Sequence, residues 1–110
     1  MEELDALLHQ PLRTQLVAFL AAAGELTFSD LKRQLDVSDG NLVAHLKKLL
    51  AADYVAVRKE SGNGRPQSFF VLTPTGLAAL QTYVQRLQKL LPLADKSTTE
   101  NGGLIPGLAN

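Results

Sequence analysis

Leucines recur along this chain at helical spacing, and in two places the rhythm changes to the alternation of an extended strand. Leu12, Leu16, Val17, Phe19 and Leu20 predict a helix from Pro11 to Ala23. Pro11 suits its first turn and Gly24 its C-terminal cap. Ala21-Ala22-Ala23 would let a neighbouring helix pack closely. Before Pro11, the stretch Leu4–His9 is expected to be a separate or bent helical lead-in, because a residue before proline is biased away from helix. Glu25-Leu26-Thr27 reads as a short connector, a single extended pair. Leu31 and Leu35 then share one helical face, with Lys32 and Arg33 pointing away. Asp36-Val37 breaks the pattern, and Leu42, Leu46, Leu49 and Leu50 resume it. Ser29 and Ser38 are the expected N-caps of these two short helices. Two amphipathic helices joined by so short a turn form a helix-turn-helix.

Beyond Asp53 the period becomes two. Tyr54, Val55 and Val57 fit a half-buried strand with Arg58 and Lys59 near its outer end. Ser68 to Leu72 is aromatic and β-branched. The Gly-Asn-Gly turn between them makes the pair a β-hairpin. Thr73 and Pro74 open a last helix as N-cap and first residue. In it Leu77, Leu80, Val84, Leu87 and Leu91 form a seam of alternating threes and fours over about two heptads. From Lys96 to Asn110 the composition is that of a flexible tail, although Leu104, Ile105 and Leu108 break its polar character. The expected organisation is one domain over 1–95 and a tail over 96–110.

Composition narrows the function. A chain of 110 residues suits one compact domain. No run approaches the roughly 20 apolar residues of a membrane span, and the acidic start (Glu2, Glu3, Asp5) is unlike a secretory signal. A cytoplasmic location is the expectation. The absence of cysteine excludes disulfides and thiolate metal sites. His9 and His45 lie in no metal-ligand spacing, and no Lys-Ser/Thr follows the glycine turn into a helix. No enzyme, metal or cofactor is therefore expected. Formal net charge is zero, but it is unevenly spread. Up to Asp30 the acids Glu2, Glu3, Asp5, Glu25 and Asp30 face only Arg13. From Leu31 to Gln67 the bases Lys32, Arg33, Lys47, Lys48, Arg58, Lys59 and Arg65 exceed Asp36, Asp39, Asp53 and Glu60. That segment can present a positive face to nucleic acid.

The order helix, helix, turn, helix, hairpin, helix resembles a winged helix-turn-helix transcriptional regulator of the MarR, ArsR and PadR-like groups, in a small single-domain form. The resemblance spans roughly residues 10–91. It rests on Leu26-Thr27-Phe28-Ser29-Asp30-Leu31, Val37 to Leu49, Asp53-Tyr54-Val55, Gly64 to Phe70, and Leu72-Thr73-Pro74-Thr75-Gly76. It implies a mainly α fold with a two- to three-stranded wing and a C-terminal dimerisation helix. The helix after Ser38 would enter the major groove, and the hairpin tip would be the wing.

On that fold, first-turn residues of the second helix meet base edges. Asn41 suits adenine, Ala44 a thymine methyl, and His45 a donor or acceptor according to its tautomer. Ser38 is either a cap or a phosphate ligand. Asp39 either favours the helix dipole or accepts from cytosine. Lys48, with Lys32, Arg33 and Lys47, is expected on phosphates. At the wing, Arg58, Lys59, Arg65 and Gln67 are the candidates, Arg65 for a minor groove. Leu4, Leu7 and Leu8 with Leu77, Leu80, Val84, Leu87 and Leu91 are the expected surface of a homodimer. A small-molecule effector is left open but unsupported, since little chain remains for a separate ligand domain. The competing reading is a winged helix that binds protein and not DNA.

Overall fold

The structure is a computed structural model that describes residues 4–62 and 64–91. Four helices and one antiparallel sheet follow in the order α1 (Pro11–Ala23), β1 (Glu25–Thr27), α2 (Phe28–Leu35), α3 (Asp39–Ala51), β2 (Val55–Gly62), β3 (Arg65–Leu72) and α4 (Pro74–Lys89). The mainly α architecture with a winged hairpin is as the sequence predicts. The expected tail from Lys96, with Leu104, Ile105 and Leu108, lies outside the described residues.

The two short helices form for local reasons. Thr27 caps α2: its Oγ1 accepts from the Asp30 N–H at 3.1 Å, and the Asp30 carboxylate accepts from the Thr27 N–H at 3.2 Å. Such reciprocal capping satisfies two orphan donors at once. Ser29, the expected cap, instead lies exposed inside the helix, because β1 ends at Thr27 and the helix starts at Phe28. Asp36 stops α2 in a left-handed conformation, with φ 54°. Ser38 caps α3, accepting from Asn41 N–H at 3.2 Å. The helices bury the residues that the pattern singled out, Leu31 and Leu35 on α2 and Leu42, Leu46 and Leu49 on α3.

The sheet order is β1-β3-β2, so the Glu25–Thr27 connector is a true third strand. It pairs with β3 from Glu25 opposite Val71 to Thr27 opposite Phe69. β2 and β3 pair from Val55 opposite Leu72 out to Gly62 opposite Arg65. Gly64 turns the chain there at φ 73°, a region open to glycine at little cost. The hairpin is longer than the sequence reading because its outer half carries polar residues that strand propensity undervalues.

Three expectations need correction. Leu4–His9 is not a helix. Its Asp5 side chain accepts from the Leu7 N–H at 2.9 Å, and its backbone carbonyl accepts from the His9 N–H at 2.8 Å, which closes one turn before Pro11. This segment is a strap across the domain. Its Leu8 is fully buried in the chain's own core, so it is not available to a second copy. Burial of one leucine contributes about 1.5–3 kcal/mol, enough to hold an irregular segment down. Leu4 and Leu7 pack partly on the same core. Second, Ala21, Ala22 and Ala23 are exposed and not closely packed under a neighbouring helix, although Ala21 lines a hollow with Pro74 and Leu77 of α4. Third, the α4 seam divides. Leu80 and Leu87 pack on the core, beside the buried Tyr83 that the leucine spacing passes over. Leu77, Val84 and Leu91 stay exposed. Gly76 explains how closely α4 seats, since a Cβ there would lie 2.1 Å from the Tyr54 carbonyl oxygen.

Candidate nucleic-acid interface

Burial of Leu42, Leu46 and Leu49 turns the opposite side of α3 outward. Asp39, Gly40, Asn41, Ala44, Lys47 and Lys48 are all exposed there. A polar and small-residue face at the start of a helix, with cations a turn further on, matches what a major groove demands. No ion pair holds Lys47 or Lys48 among the described residues.

The cations nearer α2 are engaged. Lys32 Nζ lies 2.7 Å from an Asp39 carboxylate oxygen, a bridge that ties α2 to α3. Asp39 therefore sits in the first turn of α3, where the helix dipole favours it, with a cation at its side. Arg33 pairs with Asp30 at 2.7 Å. Bridges this exposed contribute little net stability, so both cations are exchangeable for phosphate. Asp30 is held below the usual carboxylate range, first by the Thr27 backbone N–H, then by the Thr27 hydroxyl and by Arg33.

His45 departs from expectation. It sits half-buried on the shoulder of α3 and turns toward α1, where its Nδ1 lies 3.2 Å from Arg13 Nη1. An arginine has no acceptor, so Nδ1 accepts and the ring is neutral with its proton on Nε2. Burial lowers the His45 pKa, and Arg13 and Lys48 reinforce that direction. Nothing in the spacing pointed to this partner, because residues 13 and 45 meet only through the tertiary fold.

At the hairpin, Arg58 is not a free wing cation. It makes two hydrogen bonds to Glu25, at 2.9 and 2.8 Å, and a bridge to Glu60 at 3.0 Å. It also stacks 4.6 Å over the Phe69 ring. These contacts join all three strands on one face of the sheet, so Arg58 stiffens the base of the hairpin. Hydrogen bonding from Arg58 holds Glu25 below its ordinary pKa. Lys59, Arg65 and Gln67 extend beyond this knot and are exposed. Neither Lys59 nor Arg65 is ion-paired among the described residues. Among the described residues, Lys47 and Lys48 on α3 and Lys59 and Arg65 on the hairpin are thus without an ion pair. Among the described residues no three His, Cys, Asp or Glu side chains gather as a metal site. None of the described helices is long and apolar enough to cross a membrane.

A three-helix core whose third helix is presented beside an antiparallel hairpin defines a winged helix. A family model described as a winged helix DNA-binding domain matches residues 12–91. A Methanocaldococcus jannaschii protein of uncharacterized function is 32% identical over 78 residues, covering 71% of this chain and 85% of its own. The chain therefore belongs to the winged helix DNA-binding domain family. A transcriptional regulator homologue from Pyrococcus horikoshii superposes with TM-score 0.73 at 25% identity, covering 81% of this chain and 88% of that one. MarR from E. coli shares the fold with TM-score 0.61 at 23% identity, over 66% of this chain and 53% of its own. PadR from Bacillus subtilis does so with TM-score 0.59 at 19% identity, over 68% and 47%.

Proposed function

We propose that this chain is a sequence-specific transcriptional regulator of double-stranded DNA that acts in the cytoplasm as a homodimeric repressor, blocking a promoter by occupancy. The observation that carries the reading is the outward face of α3, where Asn41, Ala44, Lys47 and Lys48 are exposed and both lysines lack ion pairs among the described residues. Asn41 reads a base edge, Lys47 and Lys48 bind phosphate, and Arg65 enters the adjacent minor groove. The PadR structure of similar fold was solved in complex with operator DNA. Family and fold are those of DNA-binding proteins, and no catalytic step is implied.

The dimer reading rests on α4. Leu77 and Val84 lie exposed two turns apart on α4, and Leu91 lies exposed just beyond its C-cap; apolar seams of this period usually find a helical partner. Residues 1–95 would then work as one DNA-binding and dimerising unit, with 96–110 as a tail. Two copies predict half-sites about one helical turn apart.

The test is selection of bound fragments from random duplex DNA, followed by mobility shift and sedimentation of the complex. Arg65→Ala and the pair Lys47→Ala/Lys48→Ala should each weaken binding to the selected site, and the complex should contain two chains. If neither variant changes the shift, the assigned face is wrong. One chain per site would overturn the dimer.

A further inference from the structure

We propose that Arg13 is a positioning residue for DNA binding, holding α3 against the N-terminal strap by bonding the Leu7 carbonyl and His45 Nδ1 at once. The inference rests on the DNA-binding reading and adds to it a device that neither the fold nor the exposed face requires. Arg13 Nε donates to the Leu7 carbonyl oxygen at 2.7 Å, and Nη1 donates to His45 at 3.2 Å. One guanidinium, planar and permanently charged, therefore holds the strap and α3 at once. The strap itself is anchored on both sides of this contact. Leu8 is buried in the core, and its carbonyl accepts from the Thr14 hydroxyl. The Tyr54 hydroxyl, at the junction of α3 and β2, donates to Asp5, a bond that with burial pushes the Tyr54 pKa up to about 12. His9 shares a 3.0 Å hydrogen bond with the Tyr83 hydroxyl on α4. The strap thus links α4 to α3, and Arg13 is its only contact with the middle of α3 given by a hydrogen bond among the described residues.

The link works only while His45 is neutral. A protonated ring has no lone pair at Nδ1 to offer and sets its charge against Arg13 of α1 and Lys48 of its own helix. The sign follows from the lowered pKa. The stabilisation is present above the ordinary histidine pKa and is lost as pH falls through the depressed value. For DNA binding this runs against simple electrostatics, since a new positive charge near a DNA-facing helix should strengthen binding.

The test compares the full chain with His45→Gln, whose side-chain oxygen accepts from Arg13 and does not titrate. His9 and every carboxylate are common to both, so their effects cancel. Affinity for the selected duplex is measured by fluorescence anisotropy at constant ionic strength between pH 7.5 and 5.5. The parent should lose at least about threefold more affinity than His45→Gln over that range, a loss within one pKa unit of coupling. In Arg13→Met the loss should vanish. Parallel profiles for the parent and His45→Gln, or a parent that binds more tightly in acid than His45→Gln, would overturn the proposal. The nitrogen NMR spectrum of the free protein keeps the test independent of DNA. An unprotonated Nδ1 and protonated Nε2 at pH 7.5, with an Nδ1 resonance that shifts in Arg13→Met as the accepted hydrogen bond is lost, supports the link, whereas the opposite tautomer or an Nδ1 resonance unmoved in Arg13→Met refutes it. Absence of any DNA binding beside the expected tautomer would count against the regulator reading and leave the Arg13–His45 bond standing.

Discussion

At the scale of single residues, exposure and partnering sort the cations and polar groups more finely than charge counting does. Arg58 looked in the sequence like a wing cation, yet Glu25, Glu60 and the Phe69 ring claim it. Arg65, further out on the same hairpin, has no such partner among the described residues. Asn41 stands apart because its backbone N–H is spent on the Ser38 cap while its exposed side-chain amide is left for a ligand. Asn41→Ala is expected to cost about 1–3 kcal/mol at one base pair of the selected site and little on other sequences. Binding measured on a panel of single-base operator variants checks this. A loss of equal size on every duplex would show that Asn41 meets phosphate or nothing.

The elements depend on close local fits. α4 starts with Thr73, whose hydroxyl accepts from the Gly76 N–H at 2.9 Å and whose backbone N–H donates to the Tyr54 carbonyl at 3.0 Å. Gly76 then passes so near that same carbonyl that no side chain fits. Gly76→Ala gains about 1 kcal/mol of helix propensity, but overpacking against backbone costs about 1–3 kcal/mol or more. With a contact of 2.1 Å the cost wins. The variant should unfold several degrees lower, at about 4–8 °C per kcal/mol for a domain of this size. Thermal unfolding followed by circular dichroism measures it, and an unchanged or raised midpoint would contradict the seating of α4. The sequence made the existence of every helix and of the hairpin legible, because leucine spacing, prolines at helix starts and the Gly-Asn-Gly turn are local signals. It did not show the Leu4–His9 strap. Leucines at helical spacing look alike whether a helix or a single Asp5-capped turn carries them. Nor did it separate the two sides of α4, where Tyr83 rather than a leucine lies at the centre of the buried face.

For the molecule as a whole, zero net charge and a DNA-binding fold are reconciled by where the charges are spent. Acidic groups pair with the bases that stiffen the framework: Asp30 with Arg33, Asp39 with Lys32, Glu25 and Glu60 with Arg58. Among the described residues, Lys47, Lys48, Lys59 and Arg65 remain open on α3 and the hairpin. That arrangement suits modest non-specific affinity with specificity supplied by base contacts. The candidate site was partly legible from sequence. The face of α3 and the wing followed from periodicity and turn chemistry, whereas pairings such as Arg13 with His45 and Arg58 with Glu25 join positions remote in sequence and needed the fold. These four cations also set a quantitative expectation. The most direct measurement is the salt dependence of affinity for the selected duplex. The logarithm of the association constant should fall linearly with the logarithm of salt concentration, with a slope of about −4 for each chain engaged. A slope near zero, or binding that persists unchanged from low to moderate salt, would contradict the account and favour an apolar protein partner for this face.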